Sequence, residues 1–288
     1  MLSPHNRHMH YTANLPDFNN IFSLEGKTAV VTGASRGLGL AAASGILQAG
    51  ATKVYVTSRS AKGCQEACDA LAKVPNKRPD AQIVSVPADS STVEGIQQLI
   101  DAIAKTTDHV DILLLNAGVI FGGSIDSYPE EKWDPVLGLN LKSIFFSVQK
   151  FLPLLTKKAT AADPSRILVT ASIGGVGVTL TGEEGTIPYG VSKAGAIHLV
   201  KQLAVDLGPR NILTNAISPG FFYTELAADM IERLGGEDAL GKNKPNGRLG
   251  KPEDFAATVV FLASRAGSHI IGQNLVLDGG STVGTVKR

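Results

Sequence analysis

Residues 27–50 read KTAVVTGASRGLGLAAASGILQAG. A short β-branched run, Thr28 to Thr32, passes through three glycines into a segment with helical periodicity from Leu38 to Ala49. Glycines at a strand-to-helix turn let the backbone come close to a ligand. They also leave the helix N-terminus open toward an anion such as pyrophosphate. The spacing of Gly33, Gly37 and Gly39 is G-x-x-x-G-x-G, not the commoner G-x-G-x-x-G of dinucleotide sites. A tight turn that only packs helix on sheet would use glycine as well, so the rest of the chain must decide.

It decides by repetition. The apolar runs KVYVT, QIVSV, DILLLN, RILVT, NILTNAIS and NLVLD follow, with helical segments such as Thr92 to Lys105 between most of them. Strands that are apolar almost throughout, each separated by a helix, predict a parallel sheet covered on both faces. Right-handed crossovers then give an α/β, doubly wound, Rossmann-type domain with a mostly parallel seven-stranded sheet. Nothing in the composition of residues 21–288 marks a second domain or a repeat, and residues 1–20 read as a polar extension. The stretch Phe221 to Gly250, with LGG and KNKPNG inside it, interrupts the alternation as a lid or substrate loop would.

Composition removes several classes of function. With 288 residues, 43% of them hydrophobic and 18% charged, the chain can bury a sizeable core and is neither disordered nor fibrous. A net charge of +1 offers no bulk attraction to nucleic acid or anionic lipid. No apolar run approaches the roughly 20 residues that span a bilayer, and the first residues lack the apolar core of a secretion signal. Cys64 and Cys68, four apart in GCQEACDA, fit neither a zinc pattern nor a disulfide framework. Together these point to a reducing, cytoplasmic setting. His5, His8 and His10 have no carboxylate or cysteine to complete a ligand set, so no metal is expected.

The second strand sharpens the reading of the glycines. NAD sites usually place an acid about 20 residues beyond the glycine turn to bind the ribose 2′-OH. Here the strand ends VTSRS, giving Ser58 and Arg59 and no acid, while Arg36 stands inside the glycine turn. A carboxylate would repel a 2′-phosphate, whereas a guanidinium can grip it with two bonds. The cofactor expected is therefore NADP(H).

Further along, Tyr189 and Lys193 stand four apart behind Pro188, a residue that fits a helix start. On a helix they share a face with Cβ atoms roughly 5–6 Å apart. A phenol titrates near 10 and a nearby ammonium lowers that value, which would bring it into use as a general acid/base. Such a tyrosine can protonate the alkoxide formed when hydride reaches a carbonyl carbon. Ser172 ends the run RILVTAS, on the edge where open α/β sheets bind ligands, and could hold the same oxygen. It is a poor nucleophile candidate: position 170 is Thr170, not the glycine of a nucleophile elbow, and His198 does not share the Tyr189 face.

The segments TGASRGLG, LNAG, Asn140, Ser172, YGVSK and PGFFYT stand in the order found in short-chain dehydrogenases/reductases, and with GRLGKPEDFA and LVLDGG the resemblance runs from about Leu24 to Gly284. Within that family the chain is similar to 3-oxoacyl-carrier-protein reductases of the rhamnolipid-pathway type. The resemblance implies an NADPH-dependent ketoreductase with Tyr189 as acid/base, Ser172 orienting the carbonyl, Lys193 binding the nicotinamide ribose and Asn140 holding a relay water. It also implies cofactor contacts from Gly33, Ser35, Arg36, Gly37, Leu38 and Gly39 in the turn. Ser58, Arg59 and Asp89 would serve the adenosine end, and Asn116, Ala117 and Gly118 would run along its ribose. Pro219, Gly220, Phe222 and Thr224 would cover the carboxamide. A homotetramer, or a homodimer from the same helices, is implied too. LNAG replaces the usual NNAG but keeps Asn116, and the interval from Ser172 to Tyr189 is unusually long. A sugar or polyol dehydrogenase of the same family, and an NADP(H) sensor without turnover, stay open as alternatives.

Overall fold

A computed structural model of the chain describes residue 15 and residues 17–286. Most of the polar extension, including His5, His8 and His10, lies outside them. Among the described residues seven strands, all parallel, form one sheet in the order β3-β2-β1-β4-β5-β6-β7. They are β1 (Thr28–Thr32), β2 (Lys53–Thr57), β3 (Gln82–Ser85), β4 (Ile112–Leu115), β5 (Ser165–Thr170), β6 (Ile212–Pro219) and β7 (Asn274–Leu277). No antiparallel edge is present among the described residues; the sheet is parallel throughout, not mostly so.

Among the described residues nine α-helices connect and cover the strands: α1 (Gly37–Gln48), α2 (Ala61–Ala72), α3 (Val93–Ala104), α4 (Trp133–Leu137), α5 (Ser143–Leu155), α6 (Ile187–Leu207), α7 (Ala228–Arg233), α8 (Gly236–Lys242) and α9 (Pro252–Ala263). Their starts follow side-chain chemistry. Ser60 caps α2 by accepting from the Gly63 N–H at 3.0 Å, and Thr92 caps α3 by accepting from Gly95 N–H at the same distance. Pro188 and Pro252 occupy the first turns of α6 and α9, where a missing N–H costs nothing.

Strand side chains alternate between two cores. Val30, Leu113, Ile167 and Val169 face the layer of α3, α5 and α6. Ala29, Val31, Ile112 and Leu114 face α1, α2 and α9. Both faces are dry, which is why the strands read as unbroken apolar runs rather than alternating ones. On the second face α1 lies close against α9, and a Cβ at Gly45 would stand 2.9 Å from the Ala256 methyl carbon.

Strand order reverses at β1, with β2 on one side and β4 on the other, so the turns after β1 and β4 diverge and open a crevice at the carboxyl edge. The irregular stretch after β6 rises over this crevice and carries α7 and α8. Its return is pinned where Phe222 pairs with Gly250 and packs edge-on against Phe255.

Candidate active site

The crevice holds a cavity of about 300 Å³ that runs from the end of β2, past the glycine turn, to the start of α6. Its shape starts with Gly33 and Gly37, at φ +64° and +55°, a region that other residues enter only with strain. Gly33 also has no room for a side chain, since a Cβ would stand 2.9 Å from the Ala117 Cα. Ser35, Arg36, Gly37 and Leu38 line the cavity at the N-terminus of α1, whose first turn carries no acid. An anion placed there meets free N–H groups and the positive helix end.

Gly39 does something different from its neighbours. It does not reach the cavity wall; it is buried, and a Cβ there would fall 2.3 Å from the Gly33 carbonyl oxygen. Its smallness lets the turn fold back on itself. Asn116 is also spent internally. Its side-chain amide donates to the carbonyls of Thr32 and Gly33 at 3.2 and 3.3 Å, and its oxygen accepts from Thr170 Oγ1 at 3.1 Å. Thr32 Oγ1 in turn accepts from the N–H groups of Asn116 and Ala117, at 2.9 and 3.0 Å. The turns after β1 and β4 are thus tied together from beneath, and Asn116, Ala117 and Gly118 present their backbone to the cavity.

At the far end of the crevice Ser58, Arg59 and Asp89 line the wall. Arg59 is exposed, and among the described residues no acidic side chain lies within ion-pair distance of it. Arg36 is placed otherwise than a free second cation: its Nη1 bonds Glu225 Oε2 at 2.7 Å, across the mouth of the crevice. Asp89 Oδ1 is already occupied by the N–H and hydroxyl of Ser91.

Near the sheet centre, Ser172, Tyr189 and Lys193 come together on the cavity floor. Ser172 caps a 3-10 turn, Ile173–Gly175, by accepting from the Gly174 N–H at 3.1 Å, which leaves its own proton to be donated toward Tyr189. The turn presses on α6 so closely that a Cβ at Gly175 would meet the Lys193 carbonyl carbon at 2.5 Å. The two glycines after Ser172 therefore permit the serine and the tyrosine to share one small volume.

Their titration differs from the expected simple lowering of the phenol. Burial pushes the Tyr189 phenol up, and the hydrogen bond from Ser172 works against it. Burial also pushes Lys193 down to about 8. The ammonium does not point at the phenol oxygen; it donates to the Thr170 carbonyl at 2.7 Å, with Nζ 5.6 Å from the Tyr189 ring centre.

Asn140 is fully buried in a π-helical turn, Gly138–Lys142, between α4 and α5. Such single π turns frequently mark functional sites. Its amide donates to the Val119 carbonyl at 2.8 Å and to Ser192 Oγ at 3.1 Å, and its oxygen accepts from the Val119 N–H at 2.9 Å. It stands behind the cavity wall, not on it. Gly118 separates it from the lysine: a Cβ there would lie 3.1 Å from Asn140 Oδ1 and 3.5 Å from Lys193 Nζ.

Pro219, Gly220, Phe222 and Thr224 line the wall opposite the glycine turn, Thr224 close against Gly37. Of the three lid aromatics, Phe221 and Phe222 reach the cavity, while Tyr223 turns outward to donate to Glu232 at 3.2 Å. Beside Tyr189 the walls are mainly apolar, formed by Ile120, Ile173, Leu180, Leu226 and Met230. Thr179, Leu180 and Thr186 come from the long interval after Ser172, which so forms one side of the opening. Sequence reasoning missed four supporting groups: Thr32, Thr170, Ser192 and Glu225. Ser192 stands inside YGVSK and was in reach, whereas the distant pairings of the others leave no local signal.

Known proteins share this chain's sequence and fold. Residues 33–282 match the family model described as enoyl-(acyl carrier protein) reductase. The chain is 36% identical, over 90% of its length and 97% of the relative's, to the rhamnolipids biosynthesis 3-oxoacyl-[acyl-carrier-protein] reductase of Pseudomonas aeruginosa. It is 29% identical to the gluconate 5-dehydrogenase of Gluconobacter oxydans, over 92% of the chain and 98% of that protein. The solved Pseudomonas aeruginosa RhlG/NADP active-site complex superposes with a TM-score of 0.84 at 34% identity, covering 91% of this chain and 98% of that one.

Proposed function

This chain belongs to the short-chain dehydrogenase/reductase family of oxidoreductases, and from that premise we propose that it is an NADP(H)-dependent ketoreductase acting on an apolar or acyl-type ketone. One observation carries the reading: the hydrogen-bonded Ser172–Tyr189 pair and Lys193 share one cavity with the glycine turn and Arg59. The residues present fit the cofactor. The glycine turn brings Gly33, Ser35, Gly37 and Leu38 to the cavity wall at the N-terminus of α1, where a pyrophosphate would lie, and β2 ends without an acid where a 2′-phosphate would lie. Ser35, Gly37 and Leu38 would hold the pyrophosphate, Ser58 and Arg59 the 2′-phosphate, and Lys193 the nicotinamide ribose. When bound, NADPH supplies the hydride for the carbonyl carbon.

The chain's own residues handle the oxygen and the proton. Tyr189 gives its phenolic proton to the carbonyl oxygen as negative charge develops there. Ser172 turns its hydroxyl proton from the Tyr189 oxygen to the same carbonyl oxygen and shares that charge. Lys193 stabilises the phenolate left on Tyr189 and, through Asn140, returns the proton. Asn140 keeps one lone pair on Oδ1 after its bond from Val119, which a relay water can fill. The apolar wall beside Tyr189 favours a ketone over a polyol, whose hydroxyls would find few partners there. NADPH oxidation with acyl and cyclic ketones, set beside NADP⁺ reduction with polyols, tests the assignment. Faster turnover of the polyols would reverse it.

The lowered lysine makes a prediction about pH. Below about 8 Lys193 is charged and above it neutral, and proton return requires the charged form. The kcat/KM for reduction, which reports the free enzyme, should therefore fall as pH rises through about 8. A flat profile from pH 7 to beyond 9 would remove Lys193 from the relay.

Glu225 makes another. It competes with the 2′-phosphate for Arg36, but exposed pairs of this kind hold weakly. Glu225→Gln should lower the KM for NADPH about two- to fivefold while leaving that for NADH unchanged. An equal change for both would place Arg36 away from the phosphate.

We expect the molecule to act as a homotetramer or a homodimer. The exposed apolar side chains Phe145 on α5 and Val191 and Val205 on α6 support this, because apolar side chains left in water favour self-association.

A further inference from the structure

The segment KNKPNG, residues 242–247, lies near the end of the lid, and the ketoreductase reading by itself gives it no task. It holds a buried cation. Lys244 is only 7% exposed, and among the described residues no carboxylate lies within ion-pair distance of it. A buried ammonium is costly unless its charge is met, so its partners mark what it is there to hold. Its Nζ donates to Ser281 Oγ at 2.7 Å and stands 5.3 Å from the centre of the Phe221 ring, within the range of a cation–π contact. Burial pushes its pKa below the ordinary lysine value, and the charge of Asp278 works against this.

The hydroxyl that receives the ammonium is itself fixed. Ser281 belongs to the turn that follows β7, and it donates to the Asp278 carbonyl at 2.7 Å, which leaves its oxygen to accept from Lys244. Asp278 stiffens the turn by accepting from the N–H groups of Gly280 and Thr282, at 2.8 and 2.6 Å. The Asn246 N–H ties KNKPNG to the same turn through the Gly279 carbonyl, at 3.2 Å. The start of the lid lies against it as well: the Gly220 N–H donates to the Leu277 carbonyl at 2.9 Å, and a Cβ at Gly220 would stand 2.9 Å from the Asp278 Cα. Phe221 follows directly and lines the cavity. Lys244 thus reaches from a rigid turn behind the lid to an aromatic residue of the cavity wall.

In the ketoreductase reading Pro219, Gly220, Phe222 and Thr224 cover the carboxamide, and Tyr223 turns outward to Glu232. That leaves Phe221 to face the ketone. Resting on that reading, we infer that Lys244 is a positioning residue for the substrate: its ammonium fixes the Phe221 ring in the cavity wall, and the ring seats the ketone. The turn after β7, far from Tyr189 in the chain, thereby takes part in choosing what is reduced.

The test is a double-mutant cycle in NADPH-dependent ketone reduction by the full chain. Lys244→Met keeps the length and removes the charge, while Phe221→Leu keeps an apolar wall and removes the ring. Each should raise the ketone KM about three- to tenfold, with kcat and the KM for NADPH within about twofold. Combined, they should raise it no further than Phe221→Leu alone, because the ammonium has then lost the ring through which it acts. Should Lys244→Met fail to fold, Ser281→Ala takes its place in the cycle, with a ketone KM raised about twofold alone and not at all beside Phe221→Leu. An unmoved ketone KM in the folded single variant, effects that multiply in the double variant, or an equal rise in the KM for NADPH would overturn the inference while the ketoreductase reading stands. A parent chain that reduces none of a wide ketone panel would instead overturn that reading, and this inference with it.

Discussion

Tyr189→Phe should lower kcat for ketone reduction about a thousandfold and leave the fold and NADPH binding intact. The ring lies beside Gly174, and phenylalanine keeps that volume with only the hydroxyl removed. What disappears is the proton donor to the developing alkoxide, and a positioned general acid contributes roughly 10²–10⁴ in rate. Ser172 cannot take over. Its hydroxyl already accepts from Gly174, and it has no basic neighbour to replace a proton it gives away. The Lys193 ammonium is held by the Thr170 carbonyl, 5.6 Å from the ring centre. Substrate KM should change little, because the apolar walls that seat the ketone are untouched. An unchanged melting temperature together with lost turnover is the expected pair of results. Activity above about a tenth of the parent value would remove Tyr189 from the role of acid.

How the site came to be readable follows from the distances along the chain over which its parts are fixed. Tyr189 and Lys193 lie on one helix face, and the glycines sit in one turn, so their chemistry is written within a few residues. The same holds for the fold. Strands buried on both faces left seven apolar runs with helices between, and a parallel sheet is the arrangement that buries them all. Pairings across long separations left no such trace. The Arg36–Glu225 ion pair joins residues 189 apart, and Thr32 holds Asn116 over 84. Nor could spacing indicate that burial, rather than the lysine charge, dominates the titration of Tyr189, since that depends on how closely the 3-10 turn after Ser172 presses on α6. The long interval before Tyr189 was visible as length alone. Its packing against Gly123 and its ion pair to Arg233 make it one side of an opening.

At the opposite end of the cavity, Arg59→Asp should lower kcat/KM for NADPH about a hundredfold while that for NADH holds or rises. Arg59 stands exposed at the end of β2, on the cavity wall, with no acidic side chain within ion-pair distance among the described residues. A guanidinium so placed can give a phosphate two charge-assisted bonds, each roughly twice as strong as a neutral one. Aspartate removes both and sets a carboxylate against a dianion. For NADH the same carboxylate falls where NAD sites carry their acid, within reach of a ribose 2′-OH. Arg36 does not fully compensate, because Glu225 holds it at 2.7 Å. Turnover at saturating NADPH should change far less than kcat/KM, since the Ser172–Tyr189 pair lies beyond the glycine turn and keeps its geometry. The ratio of the two cofactor efficiencies is therefore the decisive quantity. If Arg59→Asp lowers NADPH and NADH use equally, Arg59 does not touch the phosphate and the preference must arise from Arg36 and Ser58.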